Sequence, residues 1–212
     1  MIRTIVSQFR RRWLCSCAVA LLGLGLAAGS QANLLYDESV SGDLSGVFTA
    51  PDLLAPGPGD NTLIGQIGAN GETGATNGND ADYFHFNLGA DFSLAAITVD
   101  AYTTSTADDS NVSFFGYVMD TAFTGQGFGD IDGFTLFNAA SGDILGDVAG
   151  GPLGPGDYAF WIQETSAIVV DYQVTFTTRD TSQVPAPGGL ALLGLGLAAL
   201  GAARLQQGGR RG

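Results

Sequence analysis

The chain has 212 residues and a formal net charge of −13, and all 21 of its acidic residues fall between Asp37 and Asp180. There is no lysine, and Arg179 is the one arginine of that span. Twenty-one acids less one arginine give the body a charge of about −20, which repels nucleic acid and anionic lipid headgroups and excludes both as partners of the body, since each is bound by displacing counterions with positive patches.

The N-terminus places Arg3, Arg10, Arg11 and Arg12 before the apolar run Leu14–Gly29, and then "GSQAN", where Ser30 and Ala32 are small residues two apart. A charged region, an apolar region and a small-x-small site are the three parts of a secretory signal peptide. Residues 1–32 are read as that peptide, with cleavage after Ala32. "RRRWLCS" is a poor match to twin-arginine export, and no small residues precede the cysteine as a lipoprotein box requires. Cys15 and Cys17, the only cysteines, lie in this segment, so the body must hold by packing without disulfides.

From 33 to 183 the pattern alternates. In "AIVVDYQVTFTTR", Ile168, Val170, Tyr172, Val174 and Phe176 share one face, and in "DYFHFNLG" Phe84, Phe86 and Leu88 face inward against Tyr83, His85 and Asn87. A period of two marks half-buried strands. Further strands are expected at Leu35–Val40, Thr62–Ile67, Leu94–Ala101, Val112–Met119, Phe134–Phe137 and Tyr158–Ile162. Turn signals such as "PGPGDN", "NGND" and "GPGD" separate them. The expected fold is all-β, an antiparallel β-sandwich of about eight or nine strands.

The tail, 184–212, begins "VPAP". Pro185 and Pro187 stop a strand and set an extended link. Residues 188–203 are uncharged and mostly apolar, about 24 Å as a helix against a hydrocarbon core of about 30 Å, so they are expected to engage the membrane as a transmembrane helix. Arg204, Arg210 and Arg211 keep the terminus cytoplasmic and place the body across the membrane. The string "ALLGLGLAA" stands in both apolar segments, at Ala20–Ala28 and Ala191–Ala199. It is read as a bilayer-compatible helix used once to start export and once to halt it.

Two resemblances follow from these motifs. Val184, Pro185, Ala186 and Pro187, the apolar helix, and then Arg204, Arg210 and Arg211 resemble the bacterial PEP-CTERM sorting signal. That family implies cleavage by a membrane transpeptidase, exosortase, in bacteria that make extracellular polysaccharide. Ala186 stands where the family has Glu, and "LQQGG" separates Arg204 from the last arginines. The body resembles the bacterial pre-peptidase C-terminal domain over about Leu35 to Thr178. The matching positions are Asp80, Asp82, Tyr83 and Phe84, then Leu136 and Phe137, then Gly156 and Tyr158, then Tyr172 and Val174, and Thr103–Gly129 is atypical. That resemblance implies a jelly-roll-like sandwich that serves as an accessory or binding module.

The body holds one histidine, His85, no cysteine and no lysine, and no motif resembles a nucleophile elbow or a phosphate loop. No catalytic residue is assigned and the chain is not expected to be an enzyme. Calcium is the one cofactor considered, because hard cations want several oxygen ligands on loops. "NGNDAD" (Asn77, Asn79, Asp80, Asp82) and "GDIDG" (Asp130, Asp132) supply them, and Asp80, Asp82, Asp130 and Asp132 are the candidate ligands. Neither fits an EF-hand, and the same residues also serve as turn formers. Tyr83, Phe115, Tyr117 and Trp161 either stack on sugar rings or line the interior. The expected function is that of a non-catalytic protein of the cell surface or extracellular matrix, exported through a membrane-anchored precursor. Secretion machinery, signal peptidase, an exosortase-like transpeptidase and exopolysaccharide are its expected partners. A calcium-dependent glycan- or protein-binding module and a secreted hydrolase accessory domain are the alternatives.

Overall fold

The computed structural model describes residues 32–69, 80–106, 110–164 and 166–182. The chain divides into two units after Gln31, and the first of them, 1–31, lies outside the described residues. So does the tail 184–212, with the sorting residues Val184, Pro185, Ala186, Pro187, Arg204, Arg210 and Arg211. Among the described residues no helix is long and apolar enough to cross a membrane.

In chain order the elements are β1 (Asn33–Asp37), α1 (Glu38–Ser41), β2 (Asp52–Leu54), β3 (Gly59–Gly68), β4 (Ala81–Leu88), β5 (Phe92–Thr104), β6 (Ser113–Val118), β7 (Gly133–Phe137), α2 (Leu145–Ala149), β8 (Gly156–Glu164) and β9 (Val169–Asp180). The strands form two sheets, one in the order β1–β3–β9–β5 and the other β2–β4–β8–β6–β7. The all-β expectation stands at this level. The expectation of a purely antiparallel sandwich does not, because β1 runs parallel to β3 and β2 parallel to β4. Between each parallel pair the chain visits the other sheet, β1 to β2 to β3 and β2 to β3 to β4. It therefore re-enters beside its first strand in the same direction, without a hairpin to reverse it.

Alternation puts one row of each strand into a shared core. Leu63 and Ile67 of β3, Ile97 of β5 and Val170, Val174 and Phe176 of β9 meet Phe84, Phe86, Phe115, Phe160 and Ile162 of the other sheet. Phe176 sits at the centre, with ring centroids 5.0 Å from Phe86, 5.6 Å from Phe160 and 5.7 Å from Phe84. Such pairs add about 0.5–1.5 kcal/mol each beyond the burial of their area. Phe115 and Tyr117 belong to this core, so neither offers a face to a sugar.

The outer face of the second sheet departs from the sequence expectation. Tyr83 and Trp161 are buried there rather than exposed, in a separate cluster with Ala81, Phe123 and Ala159. Tyr83 lies 5.5 Å from Trp161 and 5.8 Å from Phe123, and Gln126 donates to its hydroxyl. Alternation tells which face a residue takes but not whether a loop covers that face. Here residues around Phe48 and Phe123, joined by a Phe123 N–H to Phe48 carbonyl bond of 3.1 Å, do so.

Two smaller differences bear on the site. The expected strand Leu35–Val40 ends at Asp37, whose side chain accepts from the Ser39 N–H at 3.0 Å and caps α1. The short strand β2 had no periodic signal, since three residues are too few to show one.

A carboxylate cluster at the end of the sandwich

The cap at Asp37 turns the next residue, Glu38, back toward the sheets. Its Oε2 accepts from the Gln66 N–H at 2.6 Å and its Oε1 from the Leu44 N–H at 3.1 Å. The last β1–β3 register pair is Asp37 with Ile64, so the Glu38 carboxylate satisfies a β3 donor that β1 no longer reaches. Asp82 comes from β4, in phase with Phe84 and Phe86, and is fully buried. The Tyr172 hydroxyl donates across from β9 to Asp82 Oδ2 at 2.5 Å. Gly65 makes room for this reach, because a Cβ there would stand 2.5 Å from the Tyr172 oxygen. Among the described residues no N–H or hydroxyl donates to the buried Asp82 Oδ1, and the Glu38 carboxyl is a side-chain hydrogen-bond partner of Asp82.

Asp43, exposed just after α1, completes the group. One oxygen each of Glu38, Asp43 and Asp82 lies within 4.8 Å of the others. A cleft of about 540 Å³ opens beside them, lined by Glu38, Asp43, Gln66, Asp171 and Tyr172 among others. Burial, and then the nearby Asp43 charge, push the Glu38 carboxyl up to about 7 against the pull of the two N–H donors and of a side-chain hydrogen bond with Asp82. Burial, and then the charges of Glu38 and Asp80, hold Asp82 well above the usual carboxylate range. Burial and the Asp82 charge likewise raise Tyr172.

Three carboxylates at graded depth, with one oxygen of each within 4.8 Å of the others, suit a hard divalent cation. A buried anion without a counter-charge is costly, and calcium takes six to eight oxygens in flexible geometry. The donor set holds no nitrogen or sulfur that would favour a softer metal.

The four expected ligands thus part company. Asp82 joins the cluster. Asp80 is buried one bridge away, with its backbone paired to Gly68, and its charge acts on Asp82. Asp130 and Asp132 are exposed and bind backbone instead, Asp130 Oδ2 closing a turn by accepting from the Gly127 N–H at 3.0 Å and Asp132 Oδ2 accepting from the Met119 N–H across the loop at 2.7 Å. Asn77 and Asn79 lie outside the described residues. Sequence reasoning missed Glu38 and Asp43. Asp82 carried a legible signal, an acid in phase with an inward aromatic row.

A second buried carboxylate, Glu164, is a contrast. It accepts from Ser113 Oγ at 2.6 Å, Asn111 Nδ2 at 2.9 Å, the Ser166 N–H at 2.7 Å and Ser166 Oγ at 2.8 Å. These donors fill its lone pairs, so it ties strand ends together without needing a cation. His85 is half-buried on the outer row of β4, where its register partners are Ala159 and Leu53. No protein-family model matches the chain, and no curated protein matches it either.

Proposed function

We propose that this chain is an exported, non-catalytic β-sandwich of the bacterial surface or extracellular matrix, in which a calcium ion fastens the N-terminal arm to the two sheets. The observation that carries the calcium reading is the Glu38–Asp43–Asp82 group, in which no N–H or hydroxyl of the described residues donates to the buried Asp82 Oδ1. Glu38 opens α1 and Asp43 follows it, while Asp82 belongs to β4, so an ion there would join the arm to the second sheet. Asp80, behind Asp82, would add negative potential without being required as a direct ligand. The jelly-roll type and kinship with the pre-peptidase C-terminal domain rest on the motif resemblance. Export, anchoring and exosortase processing rest on the two ends of the sequence, and exopolysaccharide as a partner rests on the sorting family. The calcium-dependent binding-module reading gains from the same cluster, whereas nothing in the geometry favours a hydrolase accessory role.

Thermal melting tests the calcium reading. Calcium at about a hundred times its dissociation constant should stabilise the fold by roughly 2.7 kcal/mol, which for a domain of this size moves the midpoint by roughly 5–10 °C. Equal melting in chelator and in millimolar calcium would refute it.

A further inference from the structure

We propose that the N-terminal arm, residues 33–41, is exchanged between copies of this chain, with β1 of one copy pairing to β3 of another. Apart from the bonds of the Glu38 carboxyl to Gln66, Leu44 and Asp82, little holds the arm to the body. None of its residues is fully buried, and Leu34 is 63% exposed. β1 touches only β3 in the ladder, in parallel, with a register break between Leu34 and Tyr36. It lends the core only the partly buried Leu35 and Tyr36. β3, in contrast, is zipped on its other side to β9 from Gly59–Thr178 to Gly68–Val169, so the acceptor groove survives when the arm leaves.

Between arm and body lie Gly42 and Asp43, both exposed, followed by Leu44, which is locked in the core. Gly42, which caps α1 through its N–H to the Glu38 carbonyl, has φ +96° and open space around it, so the junction of arm and body passes through one residue in a conformation that favours glycine. Short hinges of this kind favour exchange, because a straightened hinge delivers the same arm to a neighbour. The occupant of a vacated β3 edge is identified by the fold itself, since the segment already seated there in register is Asn33–Asp37. A vacated edge also leaves the Gln66 N–H without the Glu38 carboxylate that now accepts from it, and an incoming arm from another copy restores that bond. In an exchanged pair the cation group becomes composite, Glu38 from one chain and Asp43 and Asp82 from the other. That last consequence rests on the calcium reading, whereas the exchange itself does not.

The test uses the full-length chain with Cys15→Ser and Cys17→Ser. Leu34 and Thr62 are register partners across β1 and β3. Two such chains, one with Leu34→Cys and the other with Thr62→Cys, are co-expressed and oxidised. Neither can form this disulfide alone, so exchange predicts a cross-linked heterodimer in severalfold greater yield than from a Leu53→Cys and Thr62→Cys pair, where Leu53 is an exposed body position. A yield equal to that control, together with closure of the Leu34→Cys/Thr62→Cys double variant within a single chain, would overturn the proposal. Repeating the oxidation in chelator and in calcium separates the two readings. Exchange without a calcium response keeps the first and removes the composite site, and a calcium-dependent melt without cross-linking does the reverse.

Discussion

Asp82 occupies a place in the inward row of β4 where its neighbours Phe84 and Phe86 carry rings, and the physics of the site follows from that one substitution of a carboxyl for a hydrophobe. With Glu38 pushed up to about 7 and Asp82 also raised, the folded chain without a cation holds protons that the unfolded chain has released. The stability contributed is fully present below the ordinary carboxyl value of 4.5 and is lost as pH rises through about 7. Chelator-treated protein should therefore lose on the order of 2 kcal/mol between pH 5 and pH 8 in urea titrations, and Glu38→Gln should flatten that slope. A slope unchanged by Glu38→Gln would place the effect elsewhere among the acids. At this scale half of the site was legible. The phase of Asp82 with Phe84 and Phe86 marks a buried acid, and Tyr172, in phase with Val174 and Phe176, marks a buried hydroxyl. Glu38 and Asp43 lie in a turn whose path no periodicity records.

Strand facing was the most legible feature of the elements, because a one-residue slip would exchange the core row for the solvent row. On β9 Val174 is fully buried and Gln173 is half-buried on the opposite face. Val174→Asp should cost more than about 3 kcal/mol by burying an unpaired carboxylate, whereas Gln173→Thr should stay within about 0.5 kcal/mol, as read from denaturant midpoints. Similar losses from the two would invert the facing. Thr175 is outward too, but its hydroxyl donates to Asp100 Oδ2 at 2.5 Å, so a carboxylate there would meet another. What the sequence hid was long-range. The parallel pairing of β1 and β2 depends on which sheet the chain crosses to next, and the burial of Tyr83 and Trp161 depends on loops around Phe48 and Phe123 folding over the outer face. Neither leaves a local pattern.

As a whole the molecule combines an acidic sandwich with two apolar, arginine-flanked ends. Its charge opposes close approach of copies at low ionic strength, and a Debye length of about 8 Å at physiological salt confines that repulsion to near contact. Intact mass and terminal sequencing of protein from native cells and medium should show Asn33 as the first residue and a new C-terminus near Pro185–Pro187. A retained tail in the membrane fraction would withdraw the sorting reading while leaving the anchor. The central claim is the calcium clamp, and titration calorimetry of calcium into chelator-treated protein tests it most directly. The wild-type chain should bind one ion at the Glu38–Asp43–Asp82 group, and Asp82→Asn, folded by circular dichroism, should lose that heat. No binding heat in the wild type, or the same isotherm in both, would contradict the account.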